Sequence, residues 1–238
     1  MNLRCSENRN QAMTLLEVFV VVFILAVLVA LLLPEVARPT NCGFRGSCSN
    51  NLKEIAICYA VWAGDNNDKF PSQISVTNGG ALEDVQAGNI WKAYQVMSNE
   101  LSTAKILYCP ADSTRGSYAT NFSEDMKDKI SYFMSPDASQ HDPQSLLGGD
   151  DNFFVNGSTI KSGMVLMASN PPIEWDSNRH ISDEKVAWFF KKNTRFGFIG
   201  TADGVVQQVN SETRAGGTND LKGIFNQTSL ATNRLGIP

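Results

Sequence analysis

One carboxylate, Glu17, stands inside an apolar stretch. Residues 18–33 are sixteen consecutive apolar side chains, and extending the stretch back to Met13 adds only Thr14 and Glu17 as polar positions. A charged side chain at the centre of an apolar helix costs about 2.5–3.5 kcal/mol on insertion scales, and less near an end. Glu17 therefore needs either water at the helix end or a partner. Where apolar helices pack together without water, an ammonium group is the natural complement of a lone carboxylate.

The other residues with possible chemistry are cysteines and short acidic clusters. Cys5, Cys42, Cys48, Cys58 and Cys109 are the five cysteines. Cys48 and Cys58 lie ten residues apart near one expected helix, about 15 Å distant, so they cannot bridge each other. The favoured disulfide is Cys48 to Cys109, with Cys42 to Cys109 as its rival. A closed loop of roughly 60 residues stabilises by about 4 kcal/mol in the chain-entropy model. Cys58 reads as a small buried apolar residue. The absence of any C-x-x-C and the presence of just two histidines, His141 and His180, argue against zinc. Asp65, Asn67 and Asp68 look like a fragment of an oxygen-rich calcium loop, though the glycine and distal glutamate of a full loop are missing. A solvated turn is the competing reading, and residues 149–152 are a second such fragment. No G-x-S-x-G, H-E-x-x-H or glycine-rich phosphate loop occurs. His180 with Asp176 or Asp203 lacks a nucleophile, so no catalytic residue is assigned and the protein is read as a non-enzyme.

These residues need elements to hold them. The chain has 238 residues, a net charge of −4 and a pI near 5.2. That balance argues against nucleic acid as a partner, which requires a concentrated basic face. Its mean hydropathy of −0.18 averages two unlike pieces. As a helix the apolar stretch rises roughly 32 Å, close to the ~30 Å of bilayer hydrocarbon. The expectation is a single transmembrane helix over 13–34. Arg4 and Arg9 against Glu7 would keep the N-terminus in the cytoplasm. Pro34, Pro39, Gly43 and Gly46 then predict a hinge over 35–50. Asn51, three residues before Glu54 in capping-box fashion, predicts an amphipathic helix over 51–64 whose buried stripe is Leu52, Ile55, Ala56, Tyr59 and Ala63. A second helix is expected over 81–101, with Ile90, Trp91, Tyr94, Met97 and Leu101 on its apolar face. Strands are expected at 105–108, 131–134 and 164–168, and a two-residue hairpin around Asp203-Gly204 between 196–202 and 205–209. Residues 113–129 and 138–161 read as polar surface insertions. The expected fold class is α+β, an amphipathic helix packed on an antiparallel sheet.

Ala12-Met13-Thr14-Leu15-Leu16-Glu17, followed by the apolar run and Pro34, resembles the class III signal of type IV pilins and type II secretion pseudopilins. Further stretches are similar to G-type pseudopilin-like proteins of the Verrucomicrobia and Planctomycetes type. These are residues 48–56, with 65–71, and then Tyr108-Cys109-Pro110-Ala111-Asp112, Leu147-Gly148-Gly149-Asp150, Trp175-Asp176-Ser177-Asn178-Arg179-His180 and Ala202-Asp203-Gly204. The resemblance implies a pilin-like fold with a leader over 1–12, a transmembrane helix over 13–34, a hinge over 35–50 and a head over 51–238. It implies that prepilin peptidase cuts between Ala12 and Met13 and methylates Met13. Glu17 and Pro34 would then serve assembly. Ala12 and Met13 depart from the glycine and phenylalanine usual there. Calcium in the head of major pseudopilins gives Asp65, Asn67 and Asp68 a further reason for attention. The implied function is a structural subunit of a type II secretion pseudopilus or pilus-like filament. Its partners would be itself, other pseudopilins, the peptidase and an inner-membrane assembly platform. The implied location is the bacterial inner membrane, with the head periplasmic. The alternative is an exported binding module that uses the helix only as an anchor.

Overall fold

The computed structural model describes residues 14–36, 41–112, 114–168, 173–176, 179, 196–210, 223–225, 228 and 230–238. The chain divides into two compact units, Met1–Thr40 and Asn41–Pro238. Helix α1 (Leu15–Val36) belongs to the first. It has no polar face, because Leu, Val, Ile, Phe and Ala follow one another without the 3.6-residue alternation of an amphipathic helix. Leu15, Val20 and Val21 are 75%, 49% and 47% exposed, on three different sides of the helix.

The expected transmembrane helix over 13–34 is corrected. Among the described residues no helix is long and apolar enough to cross a membrane. Thr14 and Glu17 occupy the start of α1, and Pro34 and Glu35 fall in its last turn.

The second unit opens with α2 (Asn41–Asp65). The helix thus starts ten residues before Asn51, and most of the expected hinge over 35–50 is helical; residues 37–40 lie outside the described residues. Glycine costs about 1 kcal/mol against alanine inside a helix. That cost is small beside the burial of Cys48, Leu52, Ile55, Ala56, Tyr59, Trp62 and Ala63 along one face of α2. The expected helix over 81–101 is three short pieces: α3 (Leu82–Gln86), α4 (Trp91–Val96) and α5 (Ser98–Leu101). Gly88, at φ +88°, breaks the first from the second. The apolar face survives the break, with Ile90, Trp91, Tyr94, Met97 and Leu101 all buried.

Two antiparallel sheets follow. β1 (Tyr132–Met134), β2 (Leu146–Asp150), β5 (Gly163–Ala168), β7 (Phe196–Thr201), β8 (Val206–Asn210) and β9 (Thr232–Ile237) form six strands in the order β5-β9-β1-β2-β7-β8. β3 (Phe153–Val155), β4 (Ser158–Thr159) and β6 (Ile173–Trp175) form three, in the order β4-β3-β6. Helix α2 lies against β2, β7 and β8. Side chains alternate across the large sheet as the two-residue strand period requires. Tyr132, Met134 and Leu147 join the core beneath the helices, while Phe133, Leu146 and Ile199 join a second core with Phe153 and Trp175 of the small sheet. A Cβ on Gly197 would collide with the ring of Trp175, so β7 needs a residue without one there.

Three local expectations differ from what is observed. Residues 105–108 are not a strand; Ala104–Leu107 is a 3-10 helix, capped by the Thr103 hydroxyl, which accepts from the Lys105 N–H. Residues 138–161 are not a surface insertion, since they supply β2, β3 and β4, and every residue of β2 is buried. A strand covered on both faces loses the polar alternation that announces one in a sequence. In the 202–204 turn Gly204 alone takes positive φ, +83°, and donates its N–H to the Thr201 carbonyl at 2.9 Å, so the turn is longer than a two-residue hairpin.

Tyr59, Tyr94 and Tyr132 are each 1% exposed. Burial pushes all three hydroxyls up from the ordinary value of 10.0. The folded chain keeps these protons after the unfolded chain has released them, so their contribution is whole below pH ~10 and falls as pH rises further. Urea midpoints should therefore fall as pH rises above about 10, and Tyr94→Phe should reduce that slope.

Candidate functional site

Chemistry-bearing residues gather in two places. At the start of α1, Thr14 and Glu17 form a capping box. The Thr14 backbone N–H and hydroxyl donate to Glu17 Oε2 at 2.8 and 3.1 Å, and the Glu17 N–H donates to Thr14 Oγ1 at 3.3 Å. The carboxylate thereby satisfies otherwise orphan donors of the first turn and sits where the helix dipole is positive. Within the single chain Thr14 gives the carboxylate hydrogen bonds but no neutralising charge. The T-x-x-E spacing that announces the capping box is plain in the sequence. Ala12 and Met13, on either side of the expected cleavage point, lie outside the described residues. Pro34 lies in the last turn of α1.

In the second unit an ion-pair hub centres on Asp151, whose side chain has no solvent exposure. Asp151 directly follows β2, and its two oxygens receive separate guanidiniums. Arg115 Nη2 donates to Oδ2 at 2.6 Å, and Arg179 Nη2 donates to Oδ1 at 2.7 Å. Arg179 Nη1 adds a bond to the Asp151 carbonyl at 2.8 Å. The Asp112 carboxylate lies 3.8 Å from Arg115 Nε and 3.6 Å from Arg179 Nη2, and is itself held by the Thr114 N–H and hydroxyl at 3.0 and 2.6 Å. Burial pushes the Asp151 carboxyl up, and the guanidiniums of Arg179 and Arg115 work against that rise. Burial also pulls Arg179 down, but Asp151, Asp112 and Asp176 together hold it above its ordinary value. Planar arginine forks meeting carboxylate oxygens are the strong form of this contact.

The hub joins Asp112 of the 108–112 motif and Arg179 of the 175–180 motif through Asp151, which directly follows the 147–150 motif. Asp150 accepts the Phe198 N–H at 2.8 Å and so ties the same segment to β7. Asn152 and Asp176 exchange bonds, the Asp176 N–H to the Asn152 carbonyl at 2.7 Å and Asn152 Nδ2 to the Asp176 carbonyl at 3.2 Å. Arg115 is the member that sequence reading missed, since it falls in a stretch that looks like a polar insertion.

Cys48 and Cys109 are joined by a disulfide, with Cα atoms 5.1 Å apart and 61 residues of separation. Cys42 lies in the first turn of α2. Asn51, expected as a helix cap, instead donates Nδ2 to the Tyr108 carbonyl at 2.9 Å and to the Tyr132 hydroxyl at 3.3 Å. Cys58 is 8% exposed and points its thiol at the Glu100 carbonyl, 3.2 Å away. Burial first, then Glu100 and Glu54, push that thiol up.

The calcium candidates resolve differently. Asp65, Asn67 and Asp68 sit in the turn that ends α2, with Asn67 and Asp68 at φ +55° and +57° and the Asn66 and Asp68 N–H groups both bonded to the Ala63 carbonyl at 2.9 Å. In 149–152, arginines already occupy the oxygens of Asp151. Among the described residues no group of three or more His, Cys, Asp or Glu is arranged to hold a metal. His180 lies outside the described residues. Asp203 accepts from the Thr201 hydroxyl at 2.5 Å and the Val205 N–H at 3.1 Å, which makes it a turn residue.

No protein-family model matches the chain, and neither the curated proteins nor the solved structures contain a match.

Proposed function

We propose that the protein is a structural subunit of a pseudopilus or pilus-like filament, assembled through α1. The observation that carries this reading is an exposed helix apolar on every side, whose one early carboxylate stands at its N-terminal end. An all-round apolar helix requires apolar cover. The α1 helices of other copies provide it without asking for any further protein. Cleavage between Ala12 and Met13 frees an amine one residue before Thr14, and the amine of a neighbouring copy then pairs with Glu17 and sets the stagger between subunits. The resemblance of residues 12–17, 48–56 and 108–112 to pseudopilin-like proteins supports the same reading. The disulfide supports a head that folds in an oxidising, exported compartment. No catalytic step is assigned to the chain, and assembly force belongs to a separate motor.

The alternative, an anchored display module, drew its support from a long flexible hinge. That support shrinks because α2 begins at Asn41. Co-expression with a prepilin peptidase, followed by intact-mass and N-terminal analysis, tests the processing step. The expected mature chain begins at N-methyl-Met13. A chain that keeps Met1 in the presence of active peptidase overturns it.

A further inference from the structure

We propose that the Cys48–Cys109 disulfide and the Asp151 hub are one redox-dependent device: oxidation of the two thiols completes the ion-pair cluster, and reduction releases Arg115 and Arg179 to solvent. The proposal does not depend on filament assembly. It rests on how few bonds separate the two features. Asp112 follows Cys109 by three residues, and the Asp112 N–H closes a turn on the Cys109 carbonyl at 2.9 Å. The sulfur at Cys109 therefore fixes where the Asp112 carboxylate meets Arg115 and Arg179. On the other side, Asn51 follows Cys48 by three residues and holds the Tyr108 carbonyl and the Tyr132 hydroxyl. The chain then runs from the Ser131 N–H to the Leu107 carbonyl at 2.9 Å and from the Asp151 N–H to the Ser131 carbonyl at 3.3 Å. Disulfide, 107–112 segment, start of β1 and hub are thus joined by consecutive backbone contacts. Beyond Asp112, Thr114 and Gly116 are exposed, and the Arg115 guanidinium is held by Asp151 at 2.6 Å and more weakly by the Pro238 carbonyl at 3.4 Å.

In the forward step the two thiols form one S–S bond and lose two protons and two electrons to a disulfide-class oxidant, which leaves as two thiols. The two features then share a coupling free energy, and coupling is reciprocal. If the disulfide strengthens the hub by some factor, the hub makes the disulfide harder to reduce by the same factor, with about 5–150-fold as the usual range.

The test uses the full chain in detergent, with brief trypsin digestion of the oxidised protein and of protein treated with dithiothreitol, and peptides quantified by mass spectrometry. Cleavage after Arg115 and Arg179 should rise about tenfold on reduction relative to cleavage after exposed Lys69. An unchanged ratio overturns the proposal, and so does an equal rise at every site, which would report global unfolding. In a second arm, Asp112→Asn should lower the dithiothreitol concentration for half-reduction by the same factor when titrated against the dithiol/disulfide ratio. A midpoint equal to that of the unaltered protein also overturns the coupling.

Discussion

Asp151→Ala lowers the unfolding free energy of the head by about 3–5 kcal/mol, the usual cost of removing one partner from a buried ion pair. The reason lies in what remains. Two guanidiniums whose side chains are only 16% and 20% exposed lose the carboxylate oxygens at 2.6 and 2.7 Å; the Asp112 carboxylate stays 3.8 and 3.6 Å away, and the neutral carbonyls of residue 151 and Pro238 do not replace the lost charge. Asp112 cannot compensate both, because Thr114 already holds one of its oxygens. A domain of this kind has roughly 5–15 kcal/mol in total, so the loss is a large share. Urea is the suitable denaturant, since an ionic one would screen the contact under study. Asp151→Asn should cost less than Asp151→Ala, as its amide oxygen still accepts from one guanidinium. A loss below about 1 kcal/mol for Asp151→Ala would place the hub among solvated surface pairs.

Joint replacement of Cys48 and Cys109 by serine should cost about 4 kcal/mol. The bridge spans 61 residues, and a loop of that length removes close to that much chain entropy from the unfolded state. The two sulfurs sit in the core beneath the helices, 1% and 0% exposed, so serine also buries hydroxyls there. Equilibrium urea unfolding of the double variant checks the value. Combined with Asp151→Ala, the loss should fall short of the two separate losses added together, because the hub and the bridge share the 107–112 segment.

Much of this architecture was legible in particular residues. The stripe Leu52, Ile55, Ala56, Tyr59 and Ala63 has helical spacing, and it is the buried face of α2. The ten-residue separation of Cys48 and Cys58 excluded one disulfide, and of the two pairings then left open for Cys109, with Cys48 or with Cys42, the favoured one is observed. Two kinds of feature were hidden. One is β2, where Leu146 to Asp150 are buried on both sides of the sheet, so no polar alternation marks a strand. The other is the hub, where each motif carries one half of a contact and pairing over 28 to 36 residues leaves no local spacing to read. The early start of α2 was hidden for a different reason. Gly43 and Gly46 lower local helix propensity, while the packing that outweighs them lies farther along the helix. Thr14 and Glu17 are visible in the sequence as a T-x-x-E spacing, and they form a capping box.

The central claim is assembly through α1 with Glu17 as its pairing group, and negative-stain electron microscopy of the processed chain tests it most directly. Preparations beginning at Met13 should contain filaments of uniform width, and Glu17→Leu prepared in the same way should contain none while its head keeps the unaltered urea midpoint. Filaments of equal yield and equal width from Glu17→Leu, or none from the unaltered chain, would contradict the account.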